Sequence, residues 1–474
     1  MRSAPTRTFA GGTRGLRLLL AGACACGALA IAGQVWAQEI DPNDVPVQSA
    51  GSLQNNIAPV QATNILENNG VSETNGIDSS SYDRGRNVSV QQRPRPDYDA
   101  IGLHVPGFMI YPKVDLGLAY DDNILAVQSG GVGDEIFTAT PEIDFNSTWS
   151  RNGLAGWLRA SQDLYFQHTG EDATEADGGL EGRLDLGNSD LRAGGQYGRF
   201  VLPRWASNNI GLPVHRILYN YGAANVQFEH EFARVRLSAR ADYQDYTYFN
   251  GATSAGAVVF ERDQNHYVVT GSGKAEFAVS PDTAVYVTAE GNERRFDLQP
   301  PTVSFTRNSS GFEVDAGANF DITHLTRGEI QIGYLDQSYV SPLFRPIRGL
   351  GGMAQLEWFP TQLITVTVRG SRAVGDAGVI GSAGYLTSNA SGQVDYELLR
   401  NVILSGNLWD DQDKYNGVDR TDDRLGAGAS AKWLLNRHLG LTFAYTYDHQ
   451  SSHGTAAGPS FNDNRVSVSA IVQY

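Results

Sequence analysis

Residues 465–474 read Arg-Val-Ser-Val-Ser-Ala-Ile-Val-Gln-Tyr, and their alternation decides the fold. Val466, Val468, Ala470, Val472 and Tyr474 share one parity, while Arg465, Ser467, Ser469 and Gln473 share the other. Successive side chains of a strand point to opposite faces, so this stretch offers one apolar face and one polar face. Bacterial outer-membrane barrels end in such a strand, closed by an aromatic residue, with the apolar face toward lipid and the polar face toward a lumen. Tyr474 is therefore expected to belong to the signal by which the barrel-assembly machinery recognises the closing strand.

The same period of two recurs upstream. Over 134–149, Phe137, Ala139, Pro141, Ile143 and Phe145 alternate with Thr138, Thr140, Glu142, Asp144, Asn146 and Thr148. Further runs lie at Leu180 to Leu186, Val235 to Tyr243, Phe312 to Ile322, Ile364 to Val368, Ala427 to Trp433 and Leu439 to Tyr447. They are about ten residues long, the length a tilted strand needs to cross a bilayer. Short turns near 150–153, 188–190, 231–234, 280–283, 323–326, 360–362, 399–401 and 435–438 alternate with longer polar loops. Eight turns and nine loops join 18 strands, an even number that brings both ends of the barrel to the periplasmic side. A soluble sandwich or propeller fits less well, because no blade-length repeat is visible and the aromatics cluster near strand ends as interfacial girdles do. The expected fold class is all-β: a transmembrane antiparallel outer-membrane β-barrel of about 18 strands over residues 108–474.

The other end of the sequence agrees with export. Arg2, Arg7, Arg14 and Arg17 precede an apolar stretch over 18–32 and then Val35, Trp36 and Ala37, the pattern of a signal peptide over 1–37 cleaved after Ala37. The expected location is the cell outer membrane. Cys24 and Cys26 are the only cysteines and fall inside that peptide, so the exported chain would carry neither a disulfide nor a thiolate metal site. Losing four arginines takes the formal charge from -16 to about -20, which argues against nucleic acid as a partner. Residues 38–107 are expected to be a disordered periplasmic arm. Up to about position 100 they are rich in Asn, Gln, Ser, Asp and Pro, with Tyr82 the single aromatic before position 98. Such a stretch buries too little apolar surface to offset its ordering entropy.

A family resemblance enters at the first barrel strand. Gly102-Leu103-His104-Val105-Pro106-Gly107-Phe108, continuing through Leu118-Ala119-Tyr120-Asp121-Asp122-Asn123-Ile124, resembles the opening of the putative beta-barrel porin type 2 family. Thr148-Trp149-Ser150-Arg151 is similar to that family's Trp-Ser-Arg turn. Pro106 and Gly107 depart from the pattern, where a Gly followed by a small residue is usual. The resemblance spans roughly 100–474 and implies an outer-membrane barrel. Members are often associated with exopolysaccharide operons, so it also implies polysaccharide as cargo and a periplasmic polysaccharide-export protein as a partner of the arm.

The inward parity collects more acids than bases, which would favour cations and neutral solutes in a wet lumen. Cross-strand pairing accounts for most of these charges. Trp157, Tyr165, Tyr246, Tyr248, Tyr286 and Trp409 are expected to point inward, where a flat ring beside carboxylates can stack on a sugar face. The competing reading is that they fill space near the barrel mouths or, with the register shifted by one, belong to the interfacial girdle.

Catalysis finds no support in motif. The chain has no Gly-x-Ser-x-Gly elbow, no His-Glu-x-x-His helix and no P-loop, and Gly271-Ser272-Gly273-Lys274 lacks the phosphate-loop spacing. His449 and His453 read as solvated residues of a Ser- and Gly-rich loop. Asp410, Asp411, Asp413, Asp419, Asp422 and Asp423 crowd what reads as one connection, without the spacing of a calcium loop. No catalytic residue, metal or cofactor is expected. The expected function is a conduit, first for polysaccharide export. The alternatives are a general or sugar-selective diffusion porin, and a structural or adhesive barrel. Outer-membrane lipid and lipopolysaccharide would surround any of these.

Overall fold

The computed structural model describes residues 88–206, 213–298, 305–323 and 325–474. The signal peptide expected over 1–37 and the arm up to residue 87 lie outside the described residues. A short hairpin of β1 (Leu103–Val105) and β2 (Phe108–Asp121) opens the fold. It is followed by β3 (Asp134–Ser147), β4 (Gly153–Tyr165), β5 (Ala173–Asp185), β6 (Ser189–Val201), β7 (Leu218–Phe232) and β8 (Val235–Tyr248). One loop holds the two-residue strands β9 (Gly251–Ala252) and β10 (Val258–Val259). Next come β11 (His266–Ser280), β12 (Thr283–Phe296), β13 (Ser309–Ile322), β14 (Thr326–Tyr339), β15 (Ile347–Thr361) and β16 (Ile364–Gly375). The chain ends with β17 (Gly384–Leu399), β18 (Val402–Asn416), β19 (Thr421–Asn436), β20 (Leu439–His453) and β21 (Phe461–Gln473).

From β2 onward, setting aside β9 and β10, every strand pairs antiparallel with its sequence neighbours, and β21 pairs with β2 over Lys113 to Asp121. The ring is therefore a closed barrel of 18 strands, the number the turns predicted. Closure satisfies each strand edge, the condition for placing backbone amides in lipid. Eight tight connections fall at one end and nine at the other, where all but the four-residue β18–β19 connection are long. Gly187, with φ +89°, makes one of the tight turns, a left-handed conformation that a side chain would strain.

Alternation sorts the side chains as expected. On β3, Asp134, Thr138, Thr140, Glu142, Asp144 and Asn146 are buried on the inside, while Pro141 and Ile143 are exposed on the outside. On β21, Val466, Val468 and Val472 face outward beside an inward, buried Ser469. The exposed valines and leucines are not a defect, because the outer wall is solvated by hydrocarbon rather than water.

Two local expectations differ. Strands β18 and β19 run on through the acidic stretch, with Asp413 opposite Asp422 and Asp411 opposite Arg424, so only Asp419 of the six acids lies in the connection. His449 and His453 belong to β20. Both faces of these strand ends are polar, so the hydrophobic period vanishes while the backbone ladder continues.

The expected arm is corrected over its last part. Residues 88–101 lie inside the short-turn end, and 103–105 are β1. The Val90 amide donates to Thr365 Oγ1 at 2.9 Å, and Gln91 Nε2 donates to Asp395 Oδ1 at 2.8 Å and to Ser405 Oγ at 3.0 Å. Arg93 and Arg95 both pair with Glu397, at 2.8 and 3.2 Å. Arg400 and Arg437, in turns between strands, donate to the Pro94 and Pro96 carbonyls at 2.8 Å. A polar segment needs no core of its own when a prebuilt polar wall supplies its hydrogen-bond partners.

Candidate functional site

The lumen is the candidate site, and strand parity builds it. Inward carboxylates and cations pair across neighbouring strands, Lys113 with Glu142 and Asp144 at 3.0 Å each, Arg159 with Asp177 at 2.9 Å and Arg327 with Glu357 at 2.5 Å, while Lys274 of β11 reaches over two strands to Glu329 of β14 at 3.1 Å. Paired charges hydrate the wall and cancel at a distance. Buried oxygens of Asp115, Asp411, Asp413 and Asp463 have no hydrogen-bond partner among the described residues.

The six aromatics all point inward, as their parity requires, but only Trp157 keeps appreciable exposure. Trp157 lies over Gly179, whose missing side chain leaves room for the indole, and its Nε1 donates to Asp177 at 2.9 Å. The other five are covered. Tyr165 lies under the Arg216 guanidinium at 5.1 Å, and its hydroxyl accepts from Arg216 at 2.5 Å. Tyr246 stacks on His266 at 4.6 Å with ring planes 9° apart, and Tyr248 on Tyr219 at 5.3 Å. Tyr286 carries Lys274 Nζ 3.9 Å from its ring centre and donates to Gln331 at 3.0 Å. Trp409 is 3% exposed and presses against the backbone of Gly426. Five of the rings therefore stiffen the wall, and Trp157 is the one with surface to offer a solute.

Sequence reading missed what the loops contribute. The described residues of the β6–β7 connection turn into the barrel: Leu202, Ala206 and Ile217 are buried with Tyr219, Tyr221, Tyr246 and Tyr248. Arg204 ties it to Glu171 in the β4–β5 connection at 2.5 Å. Trp205 then meets Arg424 of β19, with the guanidinium carbon 3.3 Å from the ring centre. A second inward loop, between β16 and β17, brings Asp376 to Arg294 of β12 at 3.0 Å. The advance signal was a connection less polar than a solvent-exposed loop needs, with Leu202, Trp205, Val214 and Ile217 within 201–217.

At the short-turn end, Arg95 is 4% exposed. Burial pushes its pKa below the ordinary arginine value, against the opposing pull of Glu397. Among the described residues no group of three or more His, Cys, Asp and Glu side chains is arranged to hold a metal ion.

The family described as putative beta-barrel porin 2 matches over residues 95–474. No curated protein matches the chain. Similar solved structures include a variant of the ferric enterobactin receptor PfeA from Pseudomonas aeruginosa, at 7% identity and a TM-score of 0.43 over 77% of this chain and 80% of that one. OccK5 (OpdH) of Pseudomonas aeruginosa is similar at 8% identity and a TM-score of 0.41, over 78% and 99% of the two chains. OccAB3 of Acinetobacter baumannii is similar at 10% identity and 0.41, over 78% and 100%.

Proposed function

The chain belongs to the putative beta-barrel porin 2 family and is an outer-membrane barrel of porin-like architecture, and from that premise we propose that it is a conduit by which a polysaccharide leaves the cell. The observation that carries this reading is the lumen: a closed ring of 18 strands with a hydrophilic inner wall, wide enough in principle for a hydrated chain. The export direction rests on the family-like opening from Gly102 to Ile124. The segment 88–101 supports it as well, since it sits at the end where a periplasmic export protein would dock and is held there by ion pairs such a protein could exchange. Trp157, partly exposed beside Asp177, is the proposed stacking position for a sugar ring.

A second reading, a diffusion porin for small hydrophilic solutes, is favoured by one specific observation: the inward β6–β7 loop and its Trp205–Arg424 contact narrow the path. Deletion of the chain separates the two. Export predicts loss of secreted polymer with unchanged uptake of small sugars. Normal polymer with slower solute uptake would reject export in favour of the porin.

A further inference from the structure

We infer that the Trp205–Arg424 contact is the aperture of the conduit, the place where its width and charge preference are set. The inference rests on the conduit reading and adds where selection happens.

The two residues come from walls far apart in the ring. From β7 to β19 one way round lie β8 and β11 to β18; from β6 to β19 the other way lie β5, β4, β3, β2, β21 and β20. A contact between the β6–β7 loop and β19 therefore spans the interior rather than bridging neighbours. Both ends are held. Arg204, beside Trp205, is salt-bridged to Glu171, and the loop's apolar residues Leu202 and Ala206 are buried against the wall tyrosines. On the far side Arg424 is 5% exposed and paired with Asp448 on β20. An indole faced by a guanidinium is a favourable cation–π arrangement, stronger where water is excluded. The chain has thus fixed an indole–guanidinium crosspiece across the lumen, its cation balanced by Asp448, and a solute must pass beside it. A narrow passage selects by cross-section, and its charge preference depends on Arg424 balancing Asp448, whose carboxylate would otherwise stand uncompensated in the opening.

Trp205→Ala and Arg424→Gln test this in planar bilayers with the purified full-length barrel. Gln at 424 keeps a hydrogen-bond donor for Asp448 while removing the cation, and Trp205→Ala alters only a loop residue, so folding is checked by heat-modifiable migration. Both variants should raise single-channel conductance by about twofold or more, since conductance follows the width of the narrowest point. Arg424→Gln should also move the reversal potential toward cation selectivity, whereas Trp205→Ala should leave it in place. A conducting wild type with folded variants of unchanged conductance overturns the aperture and leaves the conduit standing. No conductance from any of the three overturns both.

Discussion

The amide of Gly102 donates a 3.0 Å hydrogen bond to the carbonyl of Tyr474, which makes β1 the continuation of β21 along the edge of β2. Strand β21 covers β2 from Lys113 to Asp121, and β1 covers Phe108 to Ile110. At the join stands Pro112, whose carbonyl accepts from the Tyr474 amide at 3.2 Å. In an antiparallel strand a residue's N–H and C=O point to the same side, so the donor that proline lacks would have faced the Tyr474 carbonyl, which accepts from Gly102 instead. The seam of the barrel is thus completed by residues more than 370 positions apart in sequence.

Removing Tyr474, or replacing it with Asp, should lower the amount of folded barrel in the outer membrane. Deletion removes the backbone donor to Pro112 and the acceptor for Gly102, at several kcal/mol for each group left unpaired in lipid, and Asp places a charge on the outward face where the exposed Tyr474 ring stands. The fraction of heat-modifiable protein in outer-membrane preparations measures this. Unchanged levels would show that β1 and β2 hold the seam without it.

Glu397 should be the anchor of the segment at the short-turn end. It is 4% exposed and accepts from both Arg93 and Arg95, so Glu397→Ala leaves the buried Arg95 guanidinium without its anion. Breaking a buried pair costs about 3–5 kcal/mol. The expected result is release of residues 88–101, seen as new protease cleavage there with the barrel intact. Arg93→Ala, at a position 19% exposed against 4% for Arg95, should have the smaller effect. Equal protection in both variants would refute the anchor.

Trp409 and Trp157 should separate stability from passage. Trp409→Ala empties a packed site at a cost of about 3–5 kcal/mol, and Gly426→Val would force a side chain into the same indole. Both should reduce barrel abundance, while Gly392→Ala, with open space around the new methyl, should not. Trp157→Ala should leave abundance unchanged and reduce secreted polymer. A Trp157→Ala strain with normal secretion would remove that residue from the proposed path.

Topology is checked by single cysteines. Ala255, exposed in the long β8–β11 connection, should label on intact cells; Asn188, exposed in a tight turn, should label only after permeabilisation. Ala173, buried at the start of β5, should label at neither side. Reversed labelling at Ala255 and Asn188 would invert the barrel.

Strand number, parity and turn positions were legible because they are local. The period-2 alternation in 134–149 and 465–474 is imposed residue by residue by the two solvents on either side of one wall, and it can be read without knowing any neighbour. The inward direction of Trp157, Tyr246 and Trp409 followed from the same rule. What covers those rings did not, because Gly426 behind Trp409 and His266 beside Tyr246 become partners only through register between strands. The polar ends of β18 and β19 carry no period, so the ladder there is set by pairing alone. Residues 88–101 lack the apolar content to fold alone and are placed by Glu397, Asp395 and Thr365, about 300 positions away. Trp205 belongs to the same class. Which wall a loop residue touches depends on closure of the whole ring, a property that no window of sequence contains.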